Sequence, residues 1–194
     1  MDLIDFNSEN FNGFTEGEEI LIDTGVLLGF LNTYDDWHDT VSNLFSKEII
    51  GNDKTLFLCV NPNLVNEVQH IANNSVIKDY LRNHPEERSK ISKDEINKIS
   101  SDIKDSIKEL IEEEVLLVLD GDKQSVLKQL ELGDKLGAAD ALNASIANEY
   151  GINLLTVDTK LVRNIDTCKD KLPNLPKVYY TTSEHMKAAD KITR

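Results

Sequence analysis

Asp23, Glu67, Asp140 and Asp158 stand in the contexts ILIDTG, NPNLVNEV, GAADALNAS and LLTVDTK, and an alternation of strands and helices would carry all four to one point. Carboxylates gathered in one place repel one another strongly unless a cation lies between them. Hard divalent cations such as Mg²⁺ and Mn²⁺ take oxygen ligands, and Mg²⁺ keeps several waters while accepting few carboxylates. The chemistry such a constellation suits is metal-assisted phosphodiester hydrolysis, in which ions activate a water and offset charge in the transition state. Each acid alone has a plainer reading. Asp23 and Asp158 can cap helices, Asp140 can sit in a first turn favoured by the helix dipole, and Glu67 can be a solvated helical glutamate. Their order along the chain favours the shared site.

The elements around them are legible from pattern. Ile20 to Ile22 is a short apolar run ending directly at Asp23, which predicts a buried strand, and Val26 to Leu31 begins a helix. In TYDDWHDTVSNLFSKEII, Val41, Leu44 and Phe45 have helical spacing, with Asp39 as the candidate cap. Thr55 to Val60 predicts a second strand, and Asn61-Pro62 follows as cap plus first-turn proline, which puts Glu67 about one and a half turns into a helix. Val115 to Leu119, Ile152 to Val157 and Val178 to Thr181 predict three more strands. Between them lie a helix from Ser125 and an Ala-rich helix over Ala138 to Tyr150, ended by Gly151 in a left-handed cap. Ser183 opens a terminal helix over 183–194. Strands alternating with helices predict a three-layer α/β/α sandwich around a mainly parallel sheet, whose ligand site lies beyond the carboxyl ends of the strands. Asp23 and Asp158 fall there.

Two segments stand apart. Residues 1–19 are acidic, without Lys or Arg, and read as a solvated N-terminal extension that orders only by lying on the domain or on a partner. Residues 73–114 are highly charged with mixed signs and read as a helical insertion or arm within a domain spanning 20–182. Ser92 and Glu95 make a capping box with Ile91 and Ile96 as its hydrophobic staple. The stripe Ile96, Ile99, Ile103, Ile107 and Leu110 predicts a surface helix laid on something apolar. The basic residues here, Lys78, Arg82 and Arg88 among them, are interleaved with acids and suit an ordinary solvated surface better than a phosphate-binding face.

The formal charge of −14 argues against a surface that embraces nucleic acid as a whole, yet leaves room for a local basic rim and suits a basic protein partner. Two cysteines without CxxC spacing and four scattered histidines support neither a disulfide framework nor a zinc site; Cys59 reads as buried and Cys168 as a loop thiol. No apolar run approaches the roughly 20 residues that span a bilayer, so a soluble cytoplasmic protein is expected. Asp120-Gly121-Asp122 departs from a calcium loop at its required glycine, where Ser125 stands, and reads as a turn.

The chain resembles the PIN-domain family of metal-dependent ribonucleases, which includes VapC-type toxins of toxin–antitoxin pairs. The resemblance runs through ILIDTGVLLGFLN, DDWHDTVSNLF, NPNLVNEVQHIA and GAADALNASIANEYGINLLTVDTKLV, over roughly residues 20–72 and 115–182. It implies a PIN-like fold, Mg²⁺ or Mn²⁺ bound by Asp23, Glu67, Asp140 and Asp158, and hydrolysis of RNA. Thr24 and Thr156 match hydroxyl positions that orient a carboxylate or a water. It also implies an antitoxin partner and homodimerisation. The acidic extension and the long charged insertion depart from a compact member of the family and weaken the transfer of substrate and partner. A catalytically silent PIN scaffold that binds protein or RNA is the alternative. A phosphatase is disfavoured, because Asp23-Thr24-Gly25 lacks a second acid two residues on.

Overall fold

The computed structural model describes residues 1–51, 53–75 and 77–186. A six-stranded sheet forms its centre, with strands β1 (Asp2–Asp5), β2 (Glu19–Ile22), β3 (Phe57–Val60), β4 (Leu116–Val118), β5 (Asn153–Leu155) and β6 (Lys177–Tyr180). They lie in the order β1-β6-β5-β2-β3-β4, every pair parallel. A parallel sheet covered on both faces asks for apolar side chains pointing both ways. In β2 this is explicit: Ile20 and Ile22 join one core, while Leu21, between them, joins the other. Leu58 and Val60 against Cys59, Leu155 against Leu154, and Tyr179 against Val178 divide the same way. The period-two alternation of side chains thus produces the three expected layers.

On the first face lie helices α1 (Thr24–Leu31), α2 (His38–Phe45), α3 (Pro62–Ser75) and α5 (Lys93–Glu112), with the short α4 (Lys78–Asn83) at its margin. On the other lie α6 (Lys123–Leu136), α7 (Ala138–Tyr150) and α8 (Thr159–Thr167). The capping box of α5 is present, Ser92 N–H donating to Glu95 Oε2 (2.7 Å) and Glu95 N–H to Ser92 Oγ (3.2 Å). Its apolar stripe is laid on the core: Ile103 and Ile107 are buried there, and α5 runs against α3 and β4. Gly151 ends α7 at φ 65°, ψ 31°.

The first nineteen residues add more than a solvated tail. Asp2–Asp5 pairs with β6 as an edge strand, and Phe6 and Phe14 enter the first core. Asp39 lies in the first turn of α2 without capping it; the turn before the helix is closed by Asp35 Oδ1, which accepts from Trp37 N–H (2.9 Å). Cys168 is buried against the second core, since the stretch after α8 folds back under Leu172 and Leu175. Asp122 serves as N-cap of α6, accepting from Ser125 N–H (2.8 Å), so the Asp-Gly-Asp stretch is a strand-to-helix turn. The terminal helix begins as α9 (Ser183–Met186), and its continuation over 187–194 lies outside the described residues. Among the described residues no helix is long and apolar enough to cross a membrane.

Candidate active site

Asp23 is the first residue after β2. Its N–H donates to the Leu155 carbonyl (2.9 Å), so the β2–β5 ladder holds its backbone, while its own carbonyl receives the first N–H groups of α1. The side chain makes no capping bond to α1. It is instead held from across the fold: Asn143 Nδ2 donates to Oδ1 (3.0 Å) and Thr156 Oγ1 donates to Oδ2 (2.7 Å). The close approach needs a small neighbour. A Cβ on Gly25 would meet Val157 Cγ2 at 2.9 Å, so glycine lets the start of α1 lie against the end of β5.

Glu67 comes to this point on α3. Asn61, buried before the helix, accepts from Leu64 N–H through Oδ1 (2.9 Å) and donates through Nδ2 to Asn143 Oδ1 (2.7 Å). Leu64, Asn61, Asn143 and Asp23 therefore form one chain of hydrogen bonds whose donors all run toward the Asp23 carboxylate, the arrangement in which each bond polarises the next. Thr24 closes a second link, its hydroxyl donating to Glu67 Oε2 (2.8 Å).

Asp158 follows β5 and does cap its helix: Oδ1 accepts from Lys160 N–H (2.7 Å) and Leu161 N–H (3.1 Å). Thr156 ties it to Asp23, for its oxygen accepts from Asp158 N–H (3.0 Å) while its hydroxyl donates to Asp23. Asp140, half-buried in the first turn of α7, faces the rest. Burial raises its pKa first, then the charges of Asp23, Asp158 and Glu67, and with Lys160 opposing them it is pushed up to about 7. Burial likewise raises Asp23, helped by the Glu67 charge and only partly offset by hydrogen bonds from the Thr156 hydroxyl, the Thr24 backbone and Asn143.

The four predicted acids thus share one electrostatic neighbourhood at the carboxyl ends of β2 and β5. They do not close into a cage: among the described residues, no three Asp, Glu, His or Cys side chains stand close enough to hold an ion jointly. The donor set still fits a hard divalent cation, which needs only a few carboxylate oxygens and completes its shell with water. Positive charge there would relieve the repulsion that raises Asp140 and Asp23.

Sequence reasoning missed Asn61 and Asn143 as members of the site. Asn61 was legible only as a helix cap. Asn143 gave one signal, an amide three residues after Asp140 and so on the same helix face.

The family model described as "PIN domain" matches residues 20–166. Two solved structures align with the chain at 16% identity. The VapBC2 complex from Rickettsia felis, bound to a promoter DNA fragment, aligns over 83% of this chain and 98% of that one with a TM-score of 0.48. FitAB bound to an IR36 DNA fragment aligns over 83% and 94% with a TM-score of 0.52. No curated protein sequence matches the chain. The family match runs from the start of β2 into α8 and takes in Asp23, Glu67, Asp140 and Asp158, so the parallel sheet and its acidic end are those of a family member: this chain belongs to the PIN domain family.

Proposed function

We propose that the chain is a divalent-cation-dependent endoribonuclease, with Asp23, Glu67, Asp140 and Asp158 as the residues that would hold Mg²⁺ or Mn²⁺. The observation that carries this reading is the setting of Asp23. It is a buried carboxylate whose hydrogen-bond partners Asn143 and Thr156 are neutral and whose charged neighbour Glu67 repels it. Buried charge is tolerated when it is paired or coordinates a metal. When bound, a divalent cation supplies the positive charge that acidifies an attacking water and offsets charge developing on the phosphate.

The chain's own residues do the rest. Asn143 and Thr156 fix both oxygens of Asp23, and Thr24 fixes one oxygen of Glu67, so two acids are oriented before anything binds. Asp158 keeps Oδ2 outside its capping bonds. Lys160, near enough to Asp140 to lower its pKa, supplies a local cation for an RNA phosphate in a chain that is otherwise strongly acidic. The family resemblance brings with it a toxin's role, a cytoplasmic setting, a homodimer and an antitoxin; the net charge of −14 suits a basic one.

The test is cleavage of single-stranded RNA by the full chain with Mn²⁺, with and without chelator, beside Asp23→Asn and Asp140→Asn. Cleavage that needs the cation and disappears in both variants supports the reading. Cleavage that survives either substitution, or a folded protein that binds Mn²⁺ and cuts nothing, refutes it; the second result leaves a silent scaffold.

A further inference from the structure

A cleft of about 350 Å³ opens between α3 and the α6–α7 corner, and Glu67 and Asn143 belong both to it and to the candidate site. Its walls carry Asn63 and Asn66 from α3 and Gln129 from α6. A second cavity of about 220 Å³ adjoins it, sharing Asn63 and Gln129, with apolar Leu142 and Ile146 in its lining. Together they make a groove that leaves the acids and runs over α7.

The lining states what the groove can hold. No Lys or Arg is among its described residues; His70 lines the first part beside the acids, and Asp120 in the second part repels a phosphate there. Asn63, Asn66 and Gln129 each carry a donor and an acceptor on one planar amide. Gln129 Nε2 donates to the Ala138 carbonyl (2.9 Å), which fixes that amide and offers Oε1 as an acceptor. Asn143 is locked by Asn61 on one side and Asp23 on the other, giving the cleft a rigid inner wall. Apolar surface with a few neutral hydrogen-bonding groups, of which Gln129 and Asn143 are held in place, is the make-up of a site for a flat uncharged ligand. Within a nucleic acid that ligand is a base, and amides are side chains that meet a base edge with paired bonds.

We infer that this cleft receives one base of a single-stranded RNA, next to the phosphodiester to be cut, and that Asn63, Asn66 and Gln129 read its edge and make cleavage base-selective. The inference rests on the nuclease reading and deepens it. It assigns the groove to a base of the substrate strand.

The experiment uses four single-stranded RNAs of common flanks that differ at one central base, cut by the full chain in Mn²⁺, and compares wild type with Asn66→Ala and Gln129→Ala. The expected result is a preference for one base of roughly five- to a hundredfold, the range that one well-placed amide supplies. Each variant should narrow it at least about threefold by slowing cleavage of the favoured RNA, as the loss of one base contact requires. Equal cutting of all four RNAs, or a preference both variants leave intact, overturns the inference while the nuclease reading stands. Should the folded protein cut nothing, that reading fails, and binding decides the cleft: four trinucleotides are titrated in Mg²⁺ and followed by the side-chain amide signals of Asn and Gln. Base-selective, saturable binding weakened by Gln129→Ala upholds the cleft. Base-blind or undetectable binding removes it.

Discussion

Strand β2 has a poorly exposed carboxylate at each end, Glu18 just before it and Asp23 just after it. Glu18 is answered from within the protein. Lys177 forms an ion pair with it and the Tyr179 hydroxyl donates to both of its oxygens (2.9 Å each), beneath the edge-on rings of Phe11 and Phe14. Burial alone would raise the Glu18 carboxyl, but those bonds outweigh it and hold the pKa below the usual carboxylate value. Asp23 receives hydrogen bonds of similar length from neutral groups and a repelling charge from Glu67, and its pKa rises. Two acids flanking one strand, Asp23 the more deeply buried, are thus driven in opposite directions, with a lysine beside one and only neutral donors beside the other. One end of the sheet has its counter-charge within the protein; on the nuclease reading the other takes it from a bound cation.

The largest expected effect lies at the unanswered end. Asp23→Asn and Asp140→Asn should each lower Mn²⁺-dependent RNA cleavage by more than about a hundredfold, exceeding the usual cost of losing a group that merely supports a ligand. Wild-type rates in either variant would remove the contrast altogether. Next comes Asn143→Ala, which takes away the donor on Asp23 Oδ1 and the link to α3. Mn²⁺ affinity, read by calorimetry, should fall about 10- to 100-fold, as for other partners that orient a metal ligand. An unchanged affinity would show that Thr156 suffices to hold Asp23.

At the answered end the readout is stability rather than activity. Lys177→Met leaves Glu18 with only the Tyr179 hydroxyl and the Thr15 backbone as partners, and urea unfolding should register a loss of about 1–3 kcal/mol, typical for a lost hydrogen bond to a charged group, with RNA cleavage unaltered. A neutral result would make Lys177 a solvated bystander.

The smallest effect is the pH dependence, and its sign separates the two ends. Asp140 has a folded pKa of about 7 against 3.8 for the ordinary group, so the native state holds that proton more tightly than the unfolded chain does. Stability linked to it is full below about pH 4 and is lost as pH rises through the interval up to about 7. Asp23, also raised, adds a contribution of the same sign; Glu18, lowered, contributes stability above its ordinary pKa that is lost only in acid. In chelator the melting temperature should therefore decline between pH 5 and 7, less steeply in Asp140→Asn, and Mn²⁺ at pH 7.5 should restore it. A chelated protein that grows more stable over that interval would contradict the assignment.

Residues that act locally were readable in the sequence, and residues that act at a distance were less so. β2 and β3 announce themselves because each is buried on both faces and so lies in a largely apolar run, and β5 does so despite Asn153 and Thr156 within Ile152 to Val157. The Ser92–Glu95 box is visible because its two halves lie one helical turn apart. β1 escaped notice because Asp2–Asp5 is partly exposed and has only two aliphatics, Leu3 and Ile4, between its acids; its pairing with β6, rather than its own composition, makes it a strand. At the site, the acids could be placed by their position at strand ends and in first turns. The Asn61–Asn143 link joins residues 82 positions apart, and Asn61 already had a sufficient local explanation as a cap. The opposite holds for Cys168, whose polar sequence neighbours hid its burial.

Thr156 reaches Asp23 across 133 residues of chain, and Asn143 reaches it across 120. On a translating ribosome, the first acid emerges long before the groups that orient it have been made, and β5 must slot between β2 and β6 before the pocket exists. On the nuclease reading, cutting power is therefore acquired late and in a single step. On that reading, a half-made chain tethered beside messenger and ribosomal RNA has not yet assembled the site.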